Sequence, residues 1–336
     1  MSITQLQKDI QSGQLDKIYY ICGDEPFLKN FYLQQIKKVL FDEGGIDTDF
    51  YIFEADKLTV EAFCDTMDLF PVQAQKKMIQ ITDCIFSKSP VCSYLTTHPE
   101  ILSEDTVLVF FEQTVKNNKT TEAAKSFLKQ VKVFGKVIQI DKLDQKTLLR
   151  WIEKQCRIHQ LKMSASTVEY FLDCVGDDMY TLLSQLKKLS AFCQDTPVTE
   201  AQIDALCTRS TDSQGYLLTD AIWNKNATKA YQLLSDFESQ KISAELIAGT
   251  IFNFVGRLYK VKLLAESGKR IPEIAQILGM KEYPVKKYCA HIHQIAQPHI
   301  NKMLDLCAEA DLAIKTTAVD NYILLAQLTA QLIQTL

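Results

Sequence analysis

Along the first 140 residues, short apolar runs alternate with stretches in which apolar residues recur at every third or fourth position. The runs are Ile18–Cys22, Phe50–Phe53, Met78–Thr82, Val107–Phe111 and Val137–Ile140, each apolar through most of its length, as a strand covered on both faces must be. Between the first two, Leu28, Tyr32, Leu33, Ile36 and Leu40 share one face of a helix expected over Phe27–Leu40. Strands that alternate with helices in this way predict a parallel sheet covered by helices.

After Asp141 the strand pattern stops. Asp144 is placed to cap a helix running through Leu148, Trp151, Ile152 and Ile158. Gly176-Asp177-Asp178 breaks one helix from the next, and Thr199-Glu200 opens another after Pro197. From Ser213 to Leu336 the pattern is helical again, with its longest stretch at Ser243–Ser267 and punctuation at Gly279, Pro284 and Pro298. No fixed-period repeat is visible, so a bundle is a simpler packing than a solenoid. The expected fold class is α/β followed by all-α: an α/β domain over 1–140, a small helical domain over 141–211 and a third, helical domain over 212–336.

Composition narrows the partners more than the fold. With 47% hydrophobic and 23% charged residues, the chain of 336 residues can build two or three ordinary cores. A net charge of −4 offers phosphate no overall attraction, so nucleic-acid contact must come from a local basic patch, and a protein partner is expected first. Ten cysteines, Cys22, Cys64, Cys156 and Cys289 among them, show no C-x-x-C spacing, which disfavours zinc and suits buried thiols in a reducing compartment. Residues 1–13 lack the order of a signal peptide, and no apolar run approaches the roughly 18 residues of a membrane span, so a cytoplasmic protein is expected.

The candidate chemistry begins after the first strand. Gly23-Asp24-Glu25-Pro26-Phe27-Leu28-Lys29-Asn30 lies in the register of a phosphate-binding loop, G-x-x-x-x-G-K-[ST]. Leu28 stands where the second glycine would let phosphate approach the backbone, and Asn30 lacks the hydroxyl that ligates magnesium. Asp24 and Glu25 put negative charge where a triphosphate would lie. In the run ending Phe110-Phe111-Glu112, Phe111 replaces the magnesium-holding aspartate. On residues alone, an ordinary strand and polar turn remains open. His291 and His293 are two apart on an expected helix and cannot face one metal together. No other catalytic constellation emerges, and neither metal nor cofactor is expected.

Several segments together resemble one family, the delta subunits of bacterial DNA polymerase III clamp loaders. They are Tyr20-Ile21-Cys22-Gly23-Asp24-Glu25-Pro26-Phe27-Leu28, Leu182-Leu183-Ser184-Gln185-Leu186-Lys187-Lys188-Leu189, Asp220-Ala221-Ile222-Trp223, Glu273-Ile274-Ala275 with Tyr283-Pro284-Val285-Lys286-Lys287, and Ala310-Asp311-Leu312-Ala313-Ile314-Lys315-Thr316. They fall in the family's order over nearly the whole chain. The resemblance implies a RecA-like AAA+ domain, a helical lid and a helical collar. It implies no ATP hydrolysis by this chain, with ATP left to gamma/tau ATPase subunits beside a delta-prime subunit.

The resemblance also implies a hydrophobic wedge that enters a pocket of the beta sliding clamp and opens it for loading onto primed DNA. It maps to Thr66-Met67-Asp68-Leu69-Phe70, with Thr66 where the family's clamp-binding peptide has Gln. By residue type alone, Leu69 and Phe70 more often close the core beneath their own helix. For DNA, Arg257, Lys260, Lys262, Lys269, Arg270, Lys281, Lys286 and Lys287 form a basic cluster, with Lys315 further on; a solvated helix face is the equal alternative. The competing class is an ATP-hydrolysing AAA+ loader or remodelling subunit, against which stand Leu28, Asn30 and Phe111.

Overall fold

The computed structural model describes residues 3–41, 47–114, 121–193, 196–280, 282–292 and 295–336. Its contacts divide the chain into two compact units, Met1–Trp151 and Ile152–Leu336.

The first unit is built on five parallel strands, β1 (Ile18–Cys22), β2 (Phe50–Glu54), β3 (Lys77–Thr82), β4 (Thr106–Phe111) and β5 (Gly135–Gln139), in the order β2-β3-β4-β1-β5. Its helices are α1 (Ile3–Ser12), α2 (Pro26–Leu40), α3 (Val60–Asp68), α4 (Pro90–Thr97) and α5 (Glu122–Phe134), and α6 (Gln145–Ile158) runs across the division. The period of two along each strand sorts the side chains between the faces. Ile18, Tyr20 and Cys22 pack with Ile79, Leu108 and Phe110 against α3, α4 and α5. Tyr19, Ile21, Val107, Val109 and Phe111 pack against Leu6 of α1 and Tyr32, Leu33 and Ile36 of α2. Both faces are therefore covered, which is why these strands read as unbroken apolar runs.

Strand β5 begins two residues before the expected Val137. Gly135 lies so close to β1 that a Cβ there would stand 1.7 Å from the Ile18 carbonyl oxygen, so only glycine fits, and glycine carries no apolar signal. The expected cap of α6 is present: Asp144 accepts from the Thr147 amide at 2.9 Å.

The second unit comprises α7 (Ala165–Val175), α8 (Met179–Cys193), α9 (Glu200–Leu206), α10 (Thr211–Trp223), α11 (Ala227–Ser239), α12 (Ala244–Glu266), α13 (Ile271–Leu278), α14 (Glu282–Ile292), α15 (Gln297–Thr316) and α16 (Asn321–Thr335). The fold class is thus α/β followed by all-α. Leu218, Leu234, Ile251, Val255, Met303 and Leu328 belong to one core that joins α10, α11, α12, α15 and α16. The punctuation falls at helix ends: Gly279 closes α13, and Pro298 sits in the first turn of α15, where its missing N–H costs nothing. All ten cysteines are buried or half-buried thiols. No described helix is long and apolar enough to cross a membrane.

Candidate functional site

Two loops at opposite ends of the strands carry the candidate residues. The loop after β1 lies at the carboxyl ends, where β1 leads away to β2 on one side and β4 leads past it to β5 on the other. That reversal is the place where open α/β sheets bind ligands. Here it is filled from within. Gly23 has φ +117°, and a Cβ on it would lie 2.1 Å from the Ile140 carbonyl oxygen, so the loop is drawn tightly onto the end of β5. Lys29 is only 2% exposed. Its ammonium donates to the carbonyls of Gly23 at 2.7 Å, Glu112 at 2.6 Å and Gln113 at 3.5 Å, so its three protons all meet backbone oxygens that join the ends of β1 and β4.

The surrounding groups are also committed. The Glu25 carboxylate accepts from the Phe27 amide at 3.0 Å, taking a helix N-terminal N–H of the kind a phosphate would use. Asp24 accepts from the Lys142 amide at 2.7 Å. Leu28 packs at the margin of the core that contains Phe111, and Asn30 is exposed. Glu112 is buried, and its carboxylate accepts the Tyr20 hydroxyl. Among the described residues, no group of three or more acidic, histidine or cysteine side chains is placed to hold a metal.

The second loop precedes β3, at the amino ends of the strands. Helix α3 is capped by Thr59, which accepts from the Ala62 amide at 3.2 Å, and it turns Phe63, Thr66 and Met67 inward. The structure therefore separates the residues of the expected wedge. Thr66 is buried and donates to the Ala62 carbonyl at 2.7 Å, and Met67 packs in the core with Phe63 and Leu95. Leu69 ends the helix in an extended conformation, and Pro71 disfavours helix at Phe70. Leu69 is 47% exposed, Phe70 81% and Val72 75%. The local expectation that Leu69 and Phe70 close the core beneath their helix does not hold, because Phe63 and Met67 already fill that position.

Two residues the sequence did not single out hold this loop. Buried Asp49, just before β2, accepts from the amides of Val72 at 2.7 Å, Gln73 at 2.8 Å and Ala74 at 2.7 Å. Fully buried Lys77, the first residue of β3, donates to the Met67 carbonyl at 2.5 Å and to the Leu69 carbonyl. Burial pushes the Asp49 carboxyl up, but the amides of Ala74, Val72 and Gln73 and the charge of Lys77 outweigh it and hold it below its ordinary value. Burial pushes the Lys77 ammonium down, against the carboxylates of Asp105, Asp68 and Asp49. No local pattern announces either residue, because their partners are backbone groups 8 to 25 positions away.

The basic cluster is only partly on the surface. Arg257, Lys260, Lys269, Arg270 and Lys286 are exposed. Lys262 is not: it is buried, donates to the Ile295 carbonyl at 2.6 Å and pairs with Glu266 at 3.2 Å. Lys315 is exposed and pairs with Asp311 one helical turn earlier at 2.7 Å. Lys281 and His293 lie outside the described residues, as do the side chains of Lys287 and His291.

The first unit is thus an open parallel α/β sheet whose switch point is filled by the buried Lys29, and the second is an array of helices. Residues 212–332 match the family described as DNA polymerase III delta subunit, C-terminal domain. The likeness to delta subunits extends along the chain. It is 19% identical to the DNA polymerase III subunit delta of Bacillus subtilis over 97% of this chain and 96% of that one. The solved structure of a Bacillus subtilis DNA clamp loader delta protein superposes with a TM-score of 0.59 at 18% identity, covering 98% of this chain and 99% of the other. A gamma-subunit-related protein of DNA polymerase III from Thermotoga maritima aligns more loosely, with a TM-score of 0.36 at 11% identity over 98% and 99% of the two chains.

Proposed function

We propose that this chain is the clamp-opening arm of a DNA polymerase III clamp loader: it docks on the beta sliding clamp through Leu69 and Phe70 and opens it for primed DNA, without turning over ATP. The observation that carries the reading is the outward Phe70, 81% exposed, beside Leu69 and Val72. An aromatic anchor of this kind buries roughly 150–250 Å² in a partner's pocket and contributes several kcal/mol. Opening needs no chemistry here, because a tip that binds a less curved clamp protomer more tightly than the closed one shifts the population toward the open ring. Thr66 and Met67 then support the tip from within rather than touching the clamp.

In this reading the loop at Gly23, Leu28, Lys29 and Asn30 is a retired nucleotide site, and ATP is handled by gamma/tau subunits in a cytoplasmic assembly completed by delta-prime. Residues 1–140 face the clamp, 141–211 form the lid and 212–336 the collar that joins the ring; the family match from residue 212 supports the last boundary. Arg257, Lys260 and Lys286, with Lys287 and Lys315, supply phosphate contacts to primed DNA in the assembled ring.

The test is a titration of the full chain against its cognate clamp. Leu69→Ala with Phe70→Ala abolishes capture if the reading is right, and unchanged affinity sinks it. Calorimetry with ATP and magnesium separates the ATP-hydrolysing alternative, which requires micromolar binding by this chain alone.

A further inference from the structure

The exposed tip is tied down on both sides of Phe70 by buried charges of opposite sign. Before it, the Lys77 ammonium holds the carbonyls of Met67 and Leu69. After it, the Asp49 carboxylate holds the amides of Val72, Gln73 and Ala74. Only Phe70 and Pro71 lie between the two ties, and proline fixes its own φ. Five backbone groups that would otherwise seek water, or one another, are thereby satisfied by two side chains.

We propose that Asp49 and Lys77 are positioning residues for clamp docking, holding Leu69, Phe70 and Val72 in the outward conformation before the partner arrives. The inference rests on the docking reading above and adds to it the source of the tip's order. A large apolar side chain on a free loop would fold back against its own surface and bind only from the fraction of chains in which it points outward. Apparent affinity falls in proportion to that fraction. Two charge-assisted ties remove the alternatives in advance, so less ordering remains to be done on binding. The ties are also selective for their chemistry. An asparagine at position 49 offers one acceptor oxygen where the carboxylate offers two, leaving at least one of the three amides without its side-chain partner. A methionine at position 77 fills the space but donates nothing to the carbonyls of Met67 and Leu69.

The experiment titrates the purified sliding clamp of the same organism against the full chain by calorimetry. Asp49→Asn, Lys77→Met and Lys77→Arg are each measured alone and together with Phe70→Ala, and circular dichroism verifies the fold. Asp49→Asn and Lys77→Met are expected to weaken binding about tenfold, the drop produced when the competent fraction falls to roughly a tenth. Lys77→Arg, which keeps the donors, restores most of the affinity. In the Phe70→Ala chain the same substitutions shift the residual affinity less than about twofold, because a missing anchor no longer needs placing. Equal losses with and without Phe70 mean that Asp49 and Lys77 merely support the fold, and overturn the proposal. Unchanged affinity in both single variants, with Phe70→Ala still defective, overturns it too while leaving the docking reading intact. An unaffected Phe70→Ala chain defeats the docking reading itself.

Discussion

The loop after β1 and the loop before β3 are each held by a lysine whose ammonium is buried against backbone carbonyls, yet the two loops are opposites. Lys29 draws the end of β1 toward the end of β4 and fills the crevice where a ligand would enter. Lys77 ties the end of α3 to the start of β3 and leaves the next apolar side chains outside. The difference lies in the side chains next to the tied carbonyls. Around Lys29 the neighbouring side chains, Leu28 and Phe111, join the core. Around Lys77 the core is already filled by Phe63 and Met67, so Leu69, Phe70 and Val72 have no place inside. Buried cations of the same kind thus fill one crevice from within and leave apolar side chains outside at the other loop.

The strongest way to break this contrast is at the tip. Replacing both Leu69 and Phe70 with Ala should cost at least about 3 kcal/mol of clamp binding, read as a hundredfold or greater rise in Kd, with no loss of melting temperature. Lys29→Met comes next. It leaves buried carbonyls without their donor and should lower folding stability by about 1–3 kcal/mol in urea titrations, while clamp affinity stays at the parental value. A loss of clamp binding in that variant would show that the two loops are not independent.

A pH series sharpens the contrast further. Asp49 is held below its ordinary value by three amides and the facing Lys77, so the stabilisation it gives is complete above its unfolded value of about 3.9 and is lost as pH falls through the lower folded value. The amide shifts of Val72, Gln73 and Ala74 should therefore stay constant from about pH 8 to pH 5 and move only below about pH 4; movement near neutrality would contradict the buried tie. The smallest expected effect is a null result by calorimetry. Leu28→Gly with Asn30→Ser restores the letters of the motif, but Lys29 still points inward and Glu25 still occupies the Phe27 amide, so ATP with magnesium should produce no binding heat.

Much of this arrangement is legible in the amino-acid sequence. Five strands, the helix over most of Pro26–Leu40 and the Asp144 cap come from periodicity and capping chemistry, because those signals act between residues near one another in the chain. The departures from the phosphate-loop motif at Leu28 and Asn30 are equally local. Gly135 shows the limit of that reading: a residue chosen for close approach to Ile18 leaves no apolar trace.

The sequence alone determined the alternation of strand and helix, the change to all-helix after Asp141 and the departure from the phosphate-loop motif at Leu28 and Asn30, all of them set by neighbours within a turn or two. Only the tertiary structure decided which charges are buried and which apolar residues are not. In the sequence Lys29 stands in a phosphate-loop register, Lys262 falls in a basic cluster and Lys77 carries no signal, while Thr66 and Met67 belong to the same expected wedge as Phe70. Their burial depends on carbonyls and core space supplied by distant segments, and a side chain's hydrogen-bond partners across a sheet leave no imprint on the residues beside it in the chain.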